Sequence, residues 1–213
     1  MSYALDAVLV VIFLLDFIAL GTSRMRALIR ASAAHGALLG VMPLLVHGGA
    51  GLRLSLVCVG TVAVKGVIIP ALLTRAIRSV TTHREIEPVV GFTASLLLGG
   101  AGAALALVFS DSLPLLDEHA DSLLVPAAFS TVFTGFLILT TRKKAVIQIV
   151  GYLILENGIF IFGLLLIEAM PFTVELGVLL DVFVAVFVMG IILNHIQRTF
   201  SSTDTARLVA LRE

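Results

Sequence analysis

Residues 145–167 read AVIQIVGYLILENGIFIFGLLLI. This stretch is long enough to cross the hydrocarbon core of a bilayer, which needs about 20 predominantly apolar residues. It contains one charged residue, Glu156. A charge at the centre of a bilayer costs several kcal/mol or more, so such a residue usually faces other protein groups or water. The stretch therefore predicts a transmembrane helix that carries a carboxyl group deep in the membrane.

The composition of the whole chain points to the same class of protein. The chain has 213 residues, of which 59% are hydrophobic and 13% are charged, and its mean hydropathy is +1.13. Soluble domains have about 25% charged residues. Transmembrane β-strands would be shorter and would alternate in polarity. We therefore predict an all-α integral membrane protein.

Apolar runs separated by short polar linkers predict seven transmembrane helices. We place them at residues 4–22, 28–47, 54–74, 88–109, 122–141, 145–167 and 173–195. Pro88 and Pro171 fall at or just before helix starts, where a missing N–H costs little. The first run lacks preceding basic residues and carries Asp6 and Asp16. We interpret it as a transmembrane helix and not as a cleavable signal peptide.

The basic residues predict the orientation. All but two of the 14 Lys and Arg residues follow the odd-numbered helices one, three, five and seven, and therefore share one side. The two exceptions are Arg53, on the other side, and Lys65, within the membrane. Cytoplasmic loops carry an excess of Lys and Arg. We expect the N-terminus outside, the C-terminus in the cytoplasm, and the chain in the inner (cytoplasmic) membrane.

A weak internal repeat suggests a subdivision of the chain. Residues 23–29 (SRMRALI) resemble residues 141–147 (TRKKAVI), and the same offset aligns Gly40 with Gly158. Duplication would give two parallel three-helix units separated by the fourth helix; chance similarity between apolar helices accounts for the match equally well. The predicted divisions are a first three-helix unit, a linking helix with an outer loop, a second three-helix unit and a cytoplasmic tail, at residues 1–87, 88–121, 122–197 and 198–213.

Six ionisable residues within the predicted helices are candidates for a proton or ion relay: Glu156, Asp181, Lys65, Glu175, His35 and Asp16. The alternative is structural pairing that locks the bundle together. Asp16 is also within reach of the cytoplasmic interface, His35 could be a hydrogen-bonded core histidine, and Glu175 could reach the outer surface. We predict no catalytic residue in this chain.

The deepest of these groups are expected to form one lateral polar layer. Glu156 is about 16 Å from the cytoplasmic end of its helix at 1.5 Å per residue, and Lys65 is at a similar depth. Asp181 is nearer the outer half, on a helix face with Gly177. Pro70 has no N–H to donate to the carbonyl of Gly66 in an α-helix. We predict that Lys65 and Asp181 belong to one coupled network.

Several kinds of site are not indicated. Cys58 is the only cysteine, so no disulfide within the chain and no multi-cysteine metal or iron–sulfur site is possible. The glycine-rich residues 99–102 lie in a predicted helix with no preceding strand, which favours close helix packing over a nucleotide loop. The formal net charge of zero implies no nucleic-acid partner. We therefore expect no metal or cofactor in this chain and a lipid bilayer as its surroundings.

Residues 148–158 (QIVGYLILENG) and 174–183 (VELGVLLDVF) resemble component E of the hydrogenase-4 and formate hydrogenlyase membrane complexes. Residues 64–70 (VKGVIIP) and the tail at 203–211 (TDTARLVAL) resemble the corresponding segments of that family. The similarity extends over most of the chain and is most specific in its last 70 residues.

The C-terminal helices also resemble the small K-type subunit of respiratory complex I, in which glutamates in two helices line a lateral proton path. Glu156 matches the first of these glutamates. Asp181 falls near the second, with a shorter carboxylate and without a matching local motif. The resemblance implies a non-catalytic subunit without a redox cofactor. The nickel–iron site and iron–sulfur clusters would belong to partner subunits, namely a hydrogenase or dehydrogenase peripheral arm, beside an antiporter-like membrane subunit.

Three functions remain open from the sequence. The first is a membrane subunit of an energy-converting hydrogenase complex that relays protons or hosts an ion path through Glu156, Lys65 and Asp181. The second is a structural membrane anchor that joins larger subunits without ion transfer. The third is an independent transporter of small solutes or ions, which should be stable and active alone.

Overall fold

The computed structural model describes residues 3–47, 51–79, 86, 88–112 and 123–164. These residues are helical apart from short connections. Seven α-helices and one π-helical segment follow in chain order: α1 Tyr3–Gly21, α2 Met25–His47, α3 Leu52–Thr61, the π segment Val62–Ile68, α4 Ile69–Ser79, α5 Phe92–Asp111, α6 Leu124–Thr141 and α7 Ala145–Leu164.

Within the described part of the chain, six continuous helices are long and apolar enough to cross a membrane. They correspond to the first six predicted spans, because α3, the π segment and α4 together form the third. The predicted seventh helix, 173–195, lies outside the described residues, as do Glu175 and Asp181. Large apolar side chains on the outside of the bundle, such as Leu14, Val59 and Leu97, are exposed, as lipid-facing residues would be.

The bundle is built from two helical hairpins that pack against each other. The hairpin of α1 and α2 faces the hairpin of α6 and α7, with α1 against α6 and α2 against α7. The helix α5 packs on the outside of α1 and α6. The third membrane-crossing helix packs mainly on α2 and touches α7 through α4. The four hairpin helices therefore surround the interior in which polar side chains can meet.

Glycines set the short distance between α6 and α7. A methyl group on Gly158 would lie 2.5 Å from the backbone nitrogen of Val132, and one on Gly151 would lie 2.6 Å from that of Leu139. Gly135 is in the same way closed by Leu155. Small residues let helix backbones approach closely in membranes. This tight pair positions the polar residues of α7 relative to α6.

The third crossing helix changes register around Lys65. Between Val62 and Ile68 the backbone follows a π-helix, and the N–H of Ile69 donates to the carbonyl of Val64. The next π-helical bond would need an N–H from residue 70, which is Pro70, so the π register ends there. The membrane-crossing helix predicted at 54–74 is confirmed as the continuous helix Leu54–Arg75, whereas the π register in its middle was not predicted. The π segment places Lys65 on the buried face of the helix.

At the basic end of the bundle, the connections are held to one another by backbone hydrogen bonds. The N–H of Ile86 donates to the carbonyl of Ser23, and that of Val89 donates to the carbonyl of Thr141. Pro88 pairs with Arg142 as an isolated bridge. The prediction that the fourth helix begins at Pro88 was therefore wrong: α5 begins at Phe92, after Gly91 in an extended conformation.

Arg142 is one of the basic residues that follow the fifth predicted helix, but it does not project into solvent. Its side chain is buried and donates to the carbonyls of Val90 and Leu20 at 2.9 and 3.1 Å, and to Ser95 Oγ at 3.3 Å. The guanidinium also stacks 5.1 Å from the centre of the Phe92 ring. Burial lowers the pKa of Arg142, although a guanidinium stays charged at neutral pH. Arg142 therefore ties α1, α5 and α6 together, and its neighbour Lys143 is the exposed cation.

The two copies of the weak repeat share one structural feature and differ in another. Ser23 and Thr141, which the repeat aligns, both accept a backbone hydrogen bond from the segment 86–89. Gly40 and Gly158, which are also aligned, pack differently. Gly40 contacts Val62 of the following helix, whereas Gly158 contacts Val132 of the preceding one.

The glycine-rich stretch of α5 serves close packing, as predicted. A methyl group on Gly99 would clash with Leu20 of α1, and one on Gly102 would clash with Phe133 of α6. One glycine thus faces α1 and the other faces α6. Because α5 packs closely on both helices, small residues recur along it. The stretch makes no loop.

Candidate functional site

Polar side chains from five parts of the bundle converge in its interior. All are almost fully removed from solvent, and contacts of 3.3 Å or less connect them in a row: Thr131 of α6, Asp16 of α1, His35 of α2, Asn157 of α7, Lys65 of the π segment and Glu156 of α7. We call these six residues the buried polar chain.

Lys65 and Glu156 form the shortest contact between opposite charges. Lys65 Nζ donates to Glu156 Oε1 at 2.8 Å, and both side chains are 5% exposed. This distance is typical of a charge-assisted hydrogen bond. Glu156 Oε2 is buried and makes no hydrogen bond to any residue in the described part of the chain. The carboxyl group thus has one oxygen that could still receive or release a proton.

Asn157 connects the pair of Lys65 and Glu156 to His35, in the other half of the buried polar chain. Lys65 Nζ also donates to Asn157 Oδ1 at 3.1 Å, and Asn157 Nδ2 lies 3.3 Å from His35 Nδ1. Glu156 and Asn157 are consecutive residues, yet both are buried, because α7 packs against both α6 and α2. The amide therefore bridges the cation and the imidazole.

Asp16 lies between His35 and Thr131. Thr131 Oγ1 donates to Asp16 Oδ2 at 2.8 Å. Asp16 Oδ1 is 3.3 Å from His35 Nε2, which is within ion-pair distance, but the two atoms are not aligned as a hydrogen bond. The carboxylate thus has one firmly held oxygen and one that faces the imidazole.

Three members of the buried polar chain lie at a similar depth in the bundle, whereas Asp16 lies five residues from the basic end of α1. His35, Glu156 and Thr131 each lie ten or eleven residues from the basic end of their helices, which is about 15–16 Å at 1.5 Å per residue. A small cavity of about 10 Å³ adjoins the chain. Its walls are Ser32, Lys65, Ile69, Leu153 and Asn157. This volume is about enough for one water molecule, and most of the lining surface is apolar.

The lateral layer predicted from the sequence is present for Lys65 and Glu156, which are in direct contact. Asp16 lies five residues from the basic end of α1, and its side chain is 3% exposed and contacts His35. The predicted coupling of Lys65 to Asp181, and any role of Glu175, fall outside the described residues.

Sequence reasoning missed Asn157 and Thr131. Asn157 directly follows Glu156 in the quoted stretch, and a second polar residue in the middle of an apolar helix was a usable signal. Thr131 carried no such signal, because threonine is common in transmembrane helices and can bond to its own backbone. The contact with Asp16 at 2.8 Å is what identifies it.

The chemistry available in this interior is proton and charge transfer. Carboxyl, imidazole and amine groups bind and release protons, whereas the amide and hydroxyl can orient them. No group of three His, Cys, Asp or Glu side chains that could hold a metal ion occurs among residues 3–47, 51–79, 88–112 and 123–164. Such buried ionisable residues in membrane helices are functional candidates by default.

Comparison with known proteins gives the chain its relatives. It is 35% identical to the uncharacterized protein Rv0085 of Mycobacterium tuberculosis over 192 residues. The aligned region covers 89% of this chain and 87% of that protein. It is 28% identical over 150 residues to hydrogenase-4 component E of Escherichia coli K12, which covers 70% of this chain and 68% of that protein. Hydrogenase-4 component E of Shigella flexneri gives the same values.

No protein-family profile matches the chain, and no solved structure matches it either. The apolar helices and the relationship to a hydrogenase component agree that this is a multi-pass membrane protein. The chain belongs to the same protein family as Rv0085 of Mycobacterium tuberculosis and is a distant homologue of hydrogenase-4 component E.

Proposed function

We propose that this chain is a membrane subunit of an energy-converting hydrogenase-type complex, and that the titratable side chains of its buried polar chain take up and release protons during coupling of redox chemistry to ion translocation. The observation that carries the proposal is the pair of Lys65 and Glu156 at 2.8 Å, joined through Asn157 to His35 and Asp16. The distant homology to hydrogenase-4 component E supports the kind of complex.

The arrangement suits a relay because its groups depend on one another for charge compensation. Opposite charges a few ångströms apart favour each other's charged forms, while burial disfavours them. A change of charge in a neighbouring subunit would alter this balance and move a proton onto or off Glu156. A pair that served only to hold helices together would not need the further connection to His35 and Asp16.

The partners follow from the proposed complex. An antiporter-like membrane subunit would continue the lateral proton path, and a hydrogenase or dehydrogenase peripheral arm would supply the redox energy. The nickel–iron site and the iron–sulfur clusters would be in that arm. The complex, related to formate hydrogenlyase and complex I, would lie in the cytoplasmic membrane with the N-terminus of this chain outside and its C-terminus inside. The resemblance to the K-type subunit supports a role for Glu156 in such a path.

The proposal is tested with Glu156→Gln in the complex purified from its native host. Gln keeps an oxygen that can accept from Lys65 Nζ but cannot bind a proton at neutral pH. We expect the complex to assemble and its electron transfer to stay within about twofold, while proton transport into vesicles falls about tenfold or more. Transport is measured with a pH-sensitive dye in reconstituted vesicles.

The matched control is Asp111→Asn, which also replaces a carboxylate by an amide but at the exposed end of α5. It should leave transport unchanged. Normal proton transport in assembled Glu156→Gln vesicles contradicts the relay and favours the structural anchor. Proton transport at the full rate by the purified chain alone, without partner subunits, favours an independent transporter.

A further inference from the structure

The buried polar chain contains two titratable pairs, and the side chain between them, Asn157, cannot carry a proton. Lys65 and Glu156 can bind or release protons, as can His35 and Asp16, but the amide of Asn157 between them does not titrate near neutral pH. A proton cannot simply hop through the row. The relation between the two halves therefore depends on how the amide is oriented.

The contacts determine that orientation by elimination. A lysine ammonium has three donors and no acceptor, so the Asn157 atom 3.1 Å from Lys65 Nζ must be the carbonyl oxygen. The amide NH₂ then faces His35 Nδ1 at 3.3 Å. An NH₂ group only donates, so Nδ1 must be the unprotonated acceptor. The proton of a neutral His35 ring is consequently on Nε2, which faces Asp16 Oδ1 at 3.3 Å.

We propose that Asn157 is a positioning residue that transmits the charge state of Lys65 to the tautomer of His35, and thereby to Asp16. This inference rests on the proposed relay and adds the device that connects its halves. While Lys65 is an ammonium, the amide is held and His35 presents Nε2–H to Asp16. When Lys65 is a neutral amine, it can accept as well as donate, so the amide can turn over and offer its oxygen to Nδ1–H.

The two neutral tautomers hold the same number of protons: one proton leaves Nε2 and one binds Nδ1, both by exchange with water, so the ring takes up and releases none in net terms. The coupling changes what Asp16 faces. With Lys65 charged, Asp16 faces the Nε2–H donor of His35, and with Lys65 neutral it faces an unprotonated Nε2. Other titratable side chains on the helices around His35 are few. α6 has none and α5 has only Asp111 at its end, while α1 also carries Asp6 and α2 also carries Arg26, Arg30 and His47.

The test is ¹⁵N nuclear magnetic resonance of the chain in lipid bilayers, labelled with ¹⁵N-histidine. The variant His35→Ala identifies which signals belong to His35. The ring nitrogens report directly which one carries the proton. In the wild-type chain we expect an unprotonated Nδ1 and a protonated Nε2. Lys65→Arg, which keeps donors and positive charge, should give the same pattern.

Two variants should change the pattern in different ways. Lys65→Met removes the group that holds the amide, so the Nδ1–H tautomer should rise from a minor state of at most about 10% to roughly half. Asn157→Asp replaces the NH₂ by a second oxygen that accepts from Nδ1, so Nδ1–H should predominate. A merely structural Asn157 would leave the tautomer unchanged in the Lys65 variants.

The wild-type measurement needs no variant to fold: a protonated Nδ1, in the neutral ring or in an imidazolium, overturns the inference. Identical tautomers in the wild-type and Lys65→Met chains overturn it as well. These spectra are recorded at equilibrium without an ion gradient, so they are independent of transport. Normal transport in Glu156→Gln vesicles with the expected spectra would refute the relay and leave the coupling standing.

Discussion

Lys65 donates to two consecutive side chains of α7, and only one of them can hold a proton. Glu156 Oε1 is 2.8 Å and Asn157 Oδ1 is 3.1 Å from Nζ. One cation is thereby shared between a titratable group and an orienting group. Because both partners are buried in an apolar bundle, loss of the cation would leave a carboxylate without compensation, which is far more costly than loss of an exposed pair.

At this scale we predict a strong, non-additive stability effect. Lys65→Met should lower the free energy of unfolding by about 3–5 kcal/mol, because Glu156 remains buried and uncompensated. The double variant Lys65→Met with Glu156→Leu should lose less than the two single variants combined, because no charge is left behind. Reversible unfolding of the chain in mixed micelles measures each free energy.

Asp111→Asn serves as the control, since that side chain is exposed, and it should stay within about 0.5 kcal/mol of the wild type. Strict additivity of the two single losses would show that Lys65 and Glu156 are compensated by other groups.

The elements bring these residues together through an unusually close approach of α2 to the π segment. A methyl group on Gly36 would lie 2.6 Å from Lys65 Cβ, and one on Gly40 would lie 2.5 Å from Val62 Cγ2. Gly36 and Gly40 are one turn apart, so they form a smooth strip on α2. In the π register, the first carbons of the Lys65 side chain pack against this strip, and its Nζ reaches Glu156 of α7. Helix geometry, and not the lysine alone, makes the contact possible.

Gly36→Ala should therefore separate the π segment from α2. We expect a loss of about 1–3 kcal/mol in the free energy of unfolding, which is typical of overpacking. Proton transport by the complex should fall too, because Lys65 is displaced from Glu156. The same unfolding and vesicle measurements apply.

Gly60→Ala is the matched control on α3, where a methyl group would meet nothing within 4 Å. It should be neutral or stabilise the helix by about 0.5–1 kcal/mol, since alanine loses less backbone entropy than glycine. Equal effects of the two substitutions would mean that α2 and the π segment can move apart freely.

At the scale of the whole molecule, the described bundle has one end at which the basic connections meet. Backbone bonds join the connection after α1 to residue 86 and the connection after α6 to Val89, and Arg142 closes the gap between them. The three basic connections after α1, α4 and α6 therefore lie at the same end. Helices that alternate in direction place Asp111 at the opposite end.

Labelling of single cysteines in a Cys58→Ala background should confirm the orientation in cells. Lys143→Cys should react with a membrane-impermeant maleimide only from the cytoplasm, and Asp111→Cys only from outside. Both wild-type side chains are exposed in the structure, so reactivity depends on the side and not on burial. Permeabilised cells, in which both sites should label, provide the control. The reverse pattern in intact cells contradicts the orientation.

Much of this architecture could be predicted from the sequence, because insertion into a membrane depends on local hydropathy. The runs that became α1, α2, α6 and α7 were located within a few residues of their observed bounds, and Glu156 and Lys65 were identified as deep charges. Both results need only the number of consecutive apolar residues and the cost of a charge among them. The side on which basic residues gather followed from the same counting.

The tertiary structure alone decided which buried groups meet. Lys65 and Glu156 are 91 positions apart in the sequence, and Thr131 and Asp16 are 115 apart. Their contact depends on how each helix is rotated and how closely glycines let it approach its neighbours, which hydropathy does not record. The burial of Arg142 was unforeseen for the same reason: its partners, such as the carbonyl of Leu20, lie on other helices and meet it only once the bundle has packed.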